Sequence, residues 1–206
     1  LQSGARIEID EAKKDPLDFA LWKFSDILPV WDSPWGKGRP GWHIECSAMS
    51  SKYLGERFDI HTGGDDLATT HHNNEIAQSE SISGKPFVTY WLHGGMVNIA
   101  GEKMAKSTSN FFTLRDLIEN GYNPLAFRYL SLSSHYRSQL QFSLEALDGA
   151  QNALAGLYSS ISDLHDGGNI IEKYLEQFTE ALNNDLNTPQ ALAVVYEVLK
   201  SKENDA

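Results

Sequence analysis

Three groups of residues have the types and spacings that chemistry needs. Cys46 closes the run Gly41-Trp42-His43-Ile44-Glu45-Cys46, and His71-His72-Asn73-Asn74-Glu75 begins twenty-five residues after it. On a helix, His71 and Glu75 stand four apart on one face and can grip a single ion, and Cys46 can add a thiolate; sulfur, imidazole and carboxylate together suit zinc. A fourth ligand would come from outside the chain or from a substrate. The same residues also fit a buried small thiol and histidines used at a surface or a cap. The second group, Lys103-Met104-Ala105-Lys106-Ser107, sets two lysines three apart with a hydroxyl beside them. That suits a polyphosphate as charge develops on it, and it also suits a solvated loop. The third, His61-Thr62-Gly63-Gly64-Asp65-Asp66, follows a strand pattern. Glycines at the carboxyl end of a parallel strand let a nucleotide approach the backbone, and a carboxylate there can take ribose hydroxyls, although a Gly-Gly turn with an Asp is also an ordinary loop.

The elements that must position these groups can be read from periodicity. Apolar residues at 42, 46, 49, 53 and 54 with Gly55 behind them predict a helix over 42–54. Alternation over 57–61 predicts a strand ending in a tight turn at Gly63-Gly64, 71–83 a helix stopped by Gly84, and 87–93 a second strand. Strand, crossover helix and strand make the unit of a parallel sheet. Residues 1–41, rich in Pro, Gly and Trp, read as loop with a short helix around 18–23. A short strand is expected over 96–100 and short helices over 113–119 and 124–133. Long amphipathic helices are expected over 143–164, 171–183 and 189–202, as in a helical bundle. Arg115, Arg128 and Arg137, past the lysine loop, could reach phosphates, or serve solubility alone.

Of 206 residues, 41% are hydrophobic and 22% charged, which excludes disorder, collagen and coiled coil. The uncharged stretches are too short and polar for a membrane span, and no secretory or transit segment opens the chain. One cysteine rules out an internal disulfide framework. The net charge of −11 argues against a nonspecific nucleic-acid coat, which must neutralise many phosphates. The charge is uneven: residues 145–206 hold eleven acids and three bases, residues 1–144 seventeen and fourteen, so a local basic face in the first part survives. There is no Gly-x-Ser-x-Gly, Walker A, Gly-x-Gly-x-x-Gly or His-Glu-x-x-His pattern.

In order and spacing these segments resemble the cysteinyl-tRNA synthetases, class I aminoacyl-tRNA synthetases. The resemblance runs through Asp15-Pro16-Leu17-Asp18-Phe19 and Leu21-Trp22-Lys23, through Ser33-Pro34-Trp35-Gly36 and Gly38-Arg39-Pro40-Gly41-Trp42-His43-Ile44-Glu45-Cys46, and through Phe58-Asp59-Ile60-His61. It continues in His71-His72, Asn74-Glu75-Ile76-Ala77-Gln78-Ser79, Tyr90-Trp91-Leu92-His93, the lysine loop and His135-Tyr136-Arg137-Ser138. It implies an α/β fold: the C-terminal half of a class I synthetase Rossmann-like nucleotide-binding fold over 1–93, a connecting module with the lysine loop over 94–140, and the start of an α-helical bundle on the tRNA side over 141–206.

The implied activity is ATP-dependent joining of L-cysteine to tRNA(Cys) through a cysteinyl-adenylate, with Mg2+ accompanying ATP, in a cytoplasmic monomer. By the resemblance, Cys46, His71 and Glu75 are three of four zinc ligands and the substrate thiolate binds the metal. A soft thiolate on zinc separates cysteine from serine without editing. Trp42 and His61 would line the amino-acid pocket. Gly63, Gly64 and Asp66 would sit against the adenosine, with Asp66 toward the ribose. Lys106 would stabilise the departing pyrophosphate with Lys103 in support. Departures fall at Thr62, Thr69-Thr70, Asn73, Ala105 and Thr108-Ser109, where the family usually has Gly, Phe-Pro, Glu, Ser and Leu-Gly. The family's amino-terminal half, with a fourth zinc ligand and a His-x-Gly-His signature, has no counterpart here. An internal fragment, inactive alone, is therefore the expectation. A related cysteine ligase of the mycothiol pathway, which joins cysteine to an amino sugar, and a non-catalytic zinc or nucleotide-binding module are the alternatives.

Overall fold

The computed structural model describes residues 13–99, 102, 103, 111–162, 164 and 169–201, and the chain divides into two compact units, Leu1–His93 and Gly94–Ala206. The first unit is α/β. Strand β1 (Trp22–Phe24) pairs antiparallel with β2 (Gly38–Pro40), with Lys23 opposite Arg39. The short helix expected around 18–23 is therefore replaced by a strand. Three residues are too few to show a period, and their partner lies in the loop-like stretch ahead of Trp42. The close approach needs glycine at Gly41, where a Cβ would stand 2.0 Å from the Ala20 carbonyl oxygen.

Helix α1 spans Trp42–Leu54 and α2 spans His71–Ser83, both with the bounds predicted from spacing. Each ends on a glycine with positive φ, Gly55 and Gly84, and the Gly84 N–H donates to the Glu80 carbonyl at 2.9 Å. Between the helices runs β3 (Phe58–Gly64), followed by a single 3-10 turn (Asp65–Leu67); after α2 comes β4 (Val88–Gly94). The tight turn expected at Gly63-Gly64 is thus still strand. β3 and β4 are neighbours in one sheet and start together, the Phe58 N–H donating to the Phe87 oxygen at 3.2 Å. A crossover helix joining strands that start at the same end gives the expected strand, helix, strand unit. Among the described residues of this unit the buried apolar side chains are Phe87 and Val88, whereas His71, His72, Glu75, Gln78, Ser79 and Ser47 are buried as well. An interior so rich in polar groups marks a site.

The second unit takes in the lysine-loop region and the helices. β5 (Val97–Ile99) lies between β6 (Glu102–Lys103), antiparallel to it, and β7 (Leu140–Phe142), parallel to it. α3 (Leu114–Glu119) opens with a capping box between Thr113 and Asp116, and α4 (Pro124–Leu132) opens with Asn123 as cap and Pro124 in the first turn. α5 (Leu144–Ser162), α6 (Glu172–Asn183) and α7 (Thr188–Lys200) complete it. Their bounds fall within two residues of those predicted. The core is Leu117, Ala126, Leu130, Phe142, Leu147 and Ala150, with Val97, Ile99 and Leu140 of the sheet packed against it. Tyr129 and Tyr196 tie α4 to α7 hydroxyl to hydroxyl at 2.7 Å. No described helix is long and apolar enough to cross a membrane.

Candidate functional site

Helix periodicity places Cys46 on α1 and His71 and Glu75 one turn apart on α2, and the packing of the two helices brings their ligand atoms within 4.8 Å of one another. Glu75 is fully buried and His71 nearly so. His71 Nε2 approaches Glu75 Oε1 to 2.5 Å, yet Oε1 has no hydrogen-bond partner. Two lone-pair-bearing atoms that close, buried and not aligned as donor and acceptor, are what a shared cation would reconcile. Sulfur, imidazole nitrogen and carboxylate oxygen are a donor set that suits zinc, so the residues fit the ion that the spacing suggested.

Without an ion, burial in the cluster disfavours the charged forms of all three groups. Burial pushes the Cys46 thiol up, with Glu75 and Glu45 adding to the shift. Burial also raises the Glu75 carboxyl. It lowers His71, with His43 and His61 contributing. A dication reverses this logic, because ligation requires the thiolate and the carboxylate and releases their protons.

Around these three stand His61, expected in the amino-acid pocket, and three histidines, His43, His72 and His93, that the sequence reading left without a role. His43 Nδ1 lies 2.8 Å from His71 Nδ1. For His71 to offer its Nε2 lone pair toward Cys46 and Glu75, its Nδ1 must carry the proton and donate to His43. His61 Nε2 donates to Glu75 Oε2 at 2.8 Å. His72 Nδ1 meets His93 Nε2 at 2.8 Å, and the His72 pKa is lowered to about 4 by burial and by the imidazoles of His61, His93 and His71. The ligand atoms of His61, His72 and Glu75 also lie within 4.8 Å of one another, so both Glu75 oxygens face clusters. The signal available in the sequence was numerical: five of the seven histidines lie between 43 and 93, four of them on the predicted strand, helix and strand.

The other expected residues fall as follows. Trp42, half exposed at the start of α1, lays its ring on His71 with centroids 4.2 Å apart, at the edge of the cluster. His61 is on β3 with its ring against Trp91, and its polar contact is with Glu75. Gly63 and Gly64 end β3. A Cβ on Gly63 would stand 2.6 Å from His72 Cε1, so that glycine makes room for the histidine network. Asp66 sits in the 3-10 turn, where its carbonyl accepts from the Thr70 hydroxyl at 3.3 Å. Lys103 is placed on β6 opposite Asn98 of β5, in the second unit, and Lys106 lies outside the described residues. Arg115 and Arg128 are exposed on α3 and α4. Arg137 is taken up by Asp185, its Nε 2.5 Å from Oδ2 and its Nη2 3.2 Å from Oδ1.

The comparisons with known proteins agree with one another. The family model described as tRNA synthetases class I (C) catalytic domain matches residues 1–152, and that of the DALR domain matches 177–202. A cysteine--tRNA ligase of Histophilus somni (strain 129Pt) is 53% identical over 206 residues, covering 97% of this chain and 44% of the relative. Those of Haemophilus influenzae (strain PittGG) and Pseudomonas syringae pv. tomato are 54% and 53% identical over the same shares. The chain thus spans less than half the length of the curated relatives it matches. Among solved structures, the agnB2 LeuRS of Agrobacterium radiobacter K84, in a ternary complex with tRNA and LeuAMS, superposes with a TM-score of 0.61 at 13% identity, over 82% of this chain and 28% of that one. That likeness is one of fold.

Proposed function

The chain belongs to the class I (C) tRNA synthetase catalytic-domain family, and from that premise we propose that it is the metal-bearing and lysine-loop portion of a cysteine-tRNA ligase. The reaction joins L-cysteine to ATP as a cysteinyl-adenylate, with Mg2+ accompanying the nucleotide, and passes the cysteine to tRNA(Cys). The observation that supports this reading best is the convergence of Cys46, His71 and Glu75 about a buried carboxylate oxygen that lacks a hydrogen bond.

In this reading Cys46, His71 and Glu75 hold a zinc ion whose chemistry is to take the soft thiolate of cysteine and to leave serine's hydroxyl poorly bound. His43 holds the proton of His71 on Nδ1, and His61 occupies the far oxygen of Glu75, so His71 and Glu75 are oriented before substrate arrives. Trp42 walls the site on the His71 side. Gly63, Gly64 and Asp66 lie toward the adenosine, Asp66 taking a ribose hydroxyl. Lys106, supported by Lys103, carries the charge that develops on pyrophosphate as the carboxylate oxygen of cysteine attacks the α-phosphorus. The reading places the protein in the cytoplasm as a monomer, and the activity belongs to the longer protein that carries this chain.

Cysteine-dependent exchange of pyrophosphate into ATP by that longer protein tests the reading, with Cys46→Ala beside it. Exchange with cysteine and not with serine, lost in the variant together with bound zinc, is the expected result. Equal exchange with serine, or full activity in the zinc-free variant, would overturn it.

A further inference from the structure

Within the second unit, three consecutive side chains converge on one carboxylate that lies far along the chain, Asp185. Tyr136 donates its hydroxyl to Asp185 Oδ1 at 2.7 Å, and Arg137 clasps both oxygens of the same group. His135 Nε2 stands 4.0 Å from Oδ2, its ring stacked on Tyr136 at 5.0 Å, while the Arg137 guanidinium lies 5.2 Å from the Tyr136 ring centroid. Single exposed ion pairs contribute little, but a two-point Arg grip with a phenol on the same carboxylate has a defined geometry.

Asp185 is not an ordinary surface residue. It and Leu186 are the two described non-glycine residues with positive φ, 55° and 54°, side by side in the turn between α6 and α7. A leucine held in the left-handed region is uncommon, and such conformations persist where surroundings over-determine them. The turn is tied back into α6, with the Leu186 N–H on the Leu182 oxygen at 3.0 Å and the Asn187 N–H on the Ala181 oxygen at 3.1 Å. It lies in the stretch that matches the DALR domain.

The other side of the 135–139 loop is bonded to the strand before the lysine group. The Gly95 N–H donates to the Tyr136 oxygen at 2.7 Å, and a Cβ on Gly95 would stand 2.3 Å from the Ser138 oxygen. Asn98, buried, donates to Gln139 Oε1 at 2.9 Å, and β5 pairs with β7 through Val97, Asn98 and Ile99. β5 in turn carries β6, with Lys103 opposite Asn98.

We propose that Tyr136, Arg137 and Asp185 are positioning residues: the α6–α7 turn, through this clasp, sets the seat of β5 and β6 and so the placement of Lys103 for work on a nucleoside triphosphate. The nucleotide part rests on the function proposed above. The clasp gives the helical stretch a rigid route to the phosphate chemistry without contact between it and the substrate.

The test uses the full-length protein that carries this chain, with Asp185→Gly. Glycine accepts the left-handed backbone, so the turn survives and the grip alone is lost. The rate of cysteine-dependent pyrophosphate exchange at saturating cysteine should fall between about tenfold and a hundredfold, since small misplacements remote from the chemistry cost that much. The KM for cysteine, whose site is in the first unit, should stay within about twofold and zinc content should not change. Amide hydrogen exchange should rise over 95–103 and 135–140 while the α4 and α5 core keeps its protection. Arg137→Ala should reproduce the pattern, and Arg137→Lys should restore part of it. An unchanged rate with unchanged protection over 95–103, or protection lost evenly across the unit, overturns the proposal. If the unsubstituted protein shows no cysteine-dependent exchange, the proposed function fails and the clasp is judged on amide protection alone.

Discussion

His43 and His71 meet Nδ1 to Nδ1 at 2.8 Å, a contact in which one nitrogen must hold the proton and the other must accept it. The acceptor role falls to His43 if His71 is to use its far nitrogen toward Cys46 and Glu75. Replacing His43 by Ala removes that acceptor and leaves His71 free to change tautomer. Outer partners of this kind tune metal affinity by about 10- to 100-fold, and a loss in that range is expected for His43→Ala. Competition with a chromogenic chelator measures it; an affinity equal to that of the unsubstituted chain would mean that His43 plays no part in orienting His71.

Elemental analysis of the purified chain should find zinc, and Cys46→Ala, His71→Ala and Glu75→Gln should each abolish retention through gel filtration. Cobalt substitution should give the near-ultraviolet thiolate-to-metal charge-transfer band expected of a Cys46 ligand, and Cys46→Ser should remove it. Zinc retained by the Cys46→Ala chain would move the ion to the His61, His72 and Glu75 cluster instead.

The metal-free first unit should lose stability as pH falls below about 6.5. His72 titrates at about 4 in the fold and at about 6.5 in an unfolded chain, so the unfolded state takes up its proton first as pH falls. The stability this group contributes is whole above about 6.5 and drains away between there and about 4, by about 3 kcal/mol over the window. Urea titrations at pH 7 and pH 4.5, followed by tryptophan fluorescence, read the difference. His72→Gln should flatten the slope, and a slope left as steep would place its origin in another group.

Gly63→Ala and Gly149→Ala should move stability in opposite directions. At Gly63 a methyl meets His72 at 2.6 Å inside a buried network, and a loss of about 1–3 kcal/mol is expected. Gly149 lies within α5 with nothing within 4 Å of its would-be Cβ, where alanine should gain about 0.5–1 kcal/mol. Denaturant midpoints of the two variants settle both signs, and destabilisation by Gly149→Ala would contradict the open space around α5.

Much of the fold was written in local spacing. α1 and α2 begin and end where their apolar periods and terminal glycines say, because a helix is decided by contacts three and four residues apart. β1 was misread as a helical turn because its partner, Gly38–Pro40, sits in a stretch of prolines and glycines with no period of its own. The site shows the same division. His71 and Glu75 could be paired from their spacing on one helix, whereas His43 and His93 gain their meaning only when α1 and β4 are brought against α2. Arg137 looked free for phosphate because Asp185 lies forty-eight residues on, beyond the reach of any local pattern.

The first unit fills its middle with imidazoles, a carboxylate and small hydroxyls, where the second unit uses Leu117, Leu130, Phe142 and Leu147. Oil-like burial needs no bound ion, whereas donor atoms gathered to face a cation gain stability from it in proportion to how tightly it is held. With the zinc proposed above between Cys46 of α1 and His71 and Glu75 of α2, a chelating agent would act on the first unit as urea acts on the second, and the affinity proposed to select a thiol would also help to hold α1 against α2.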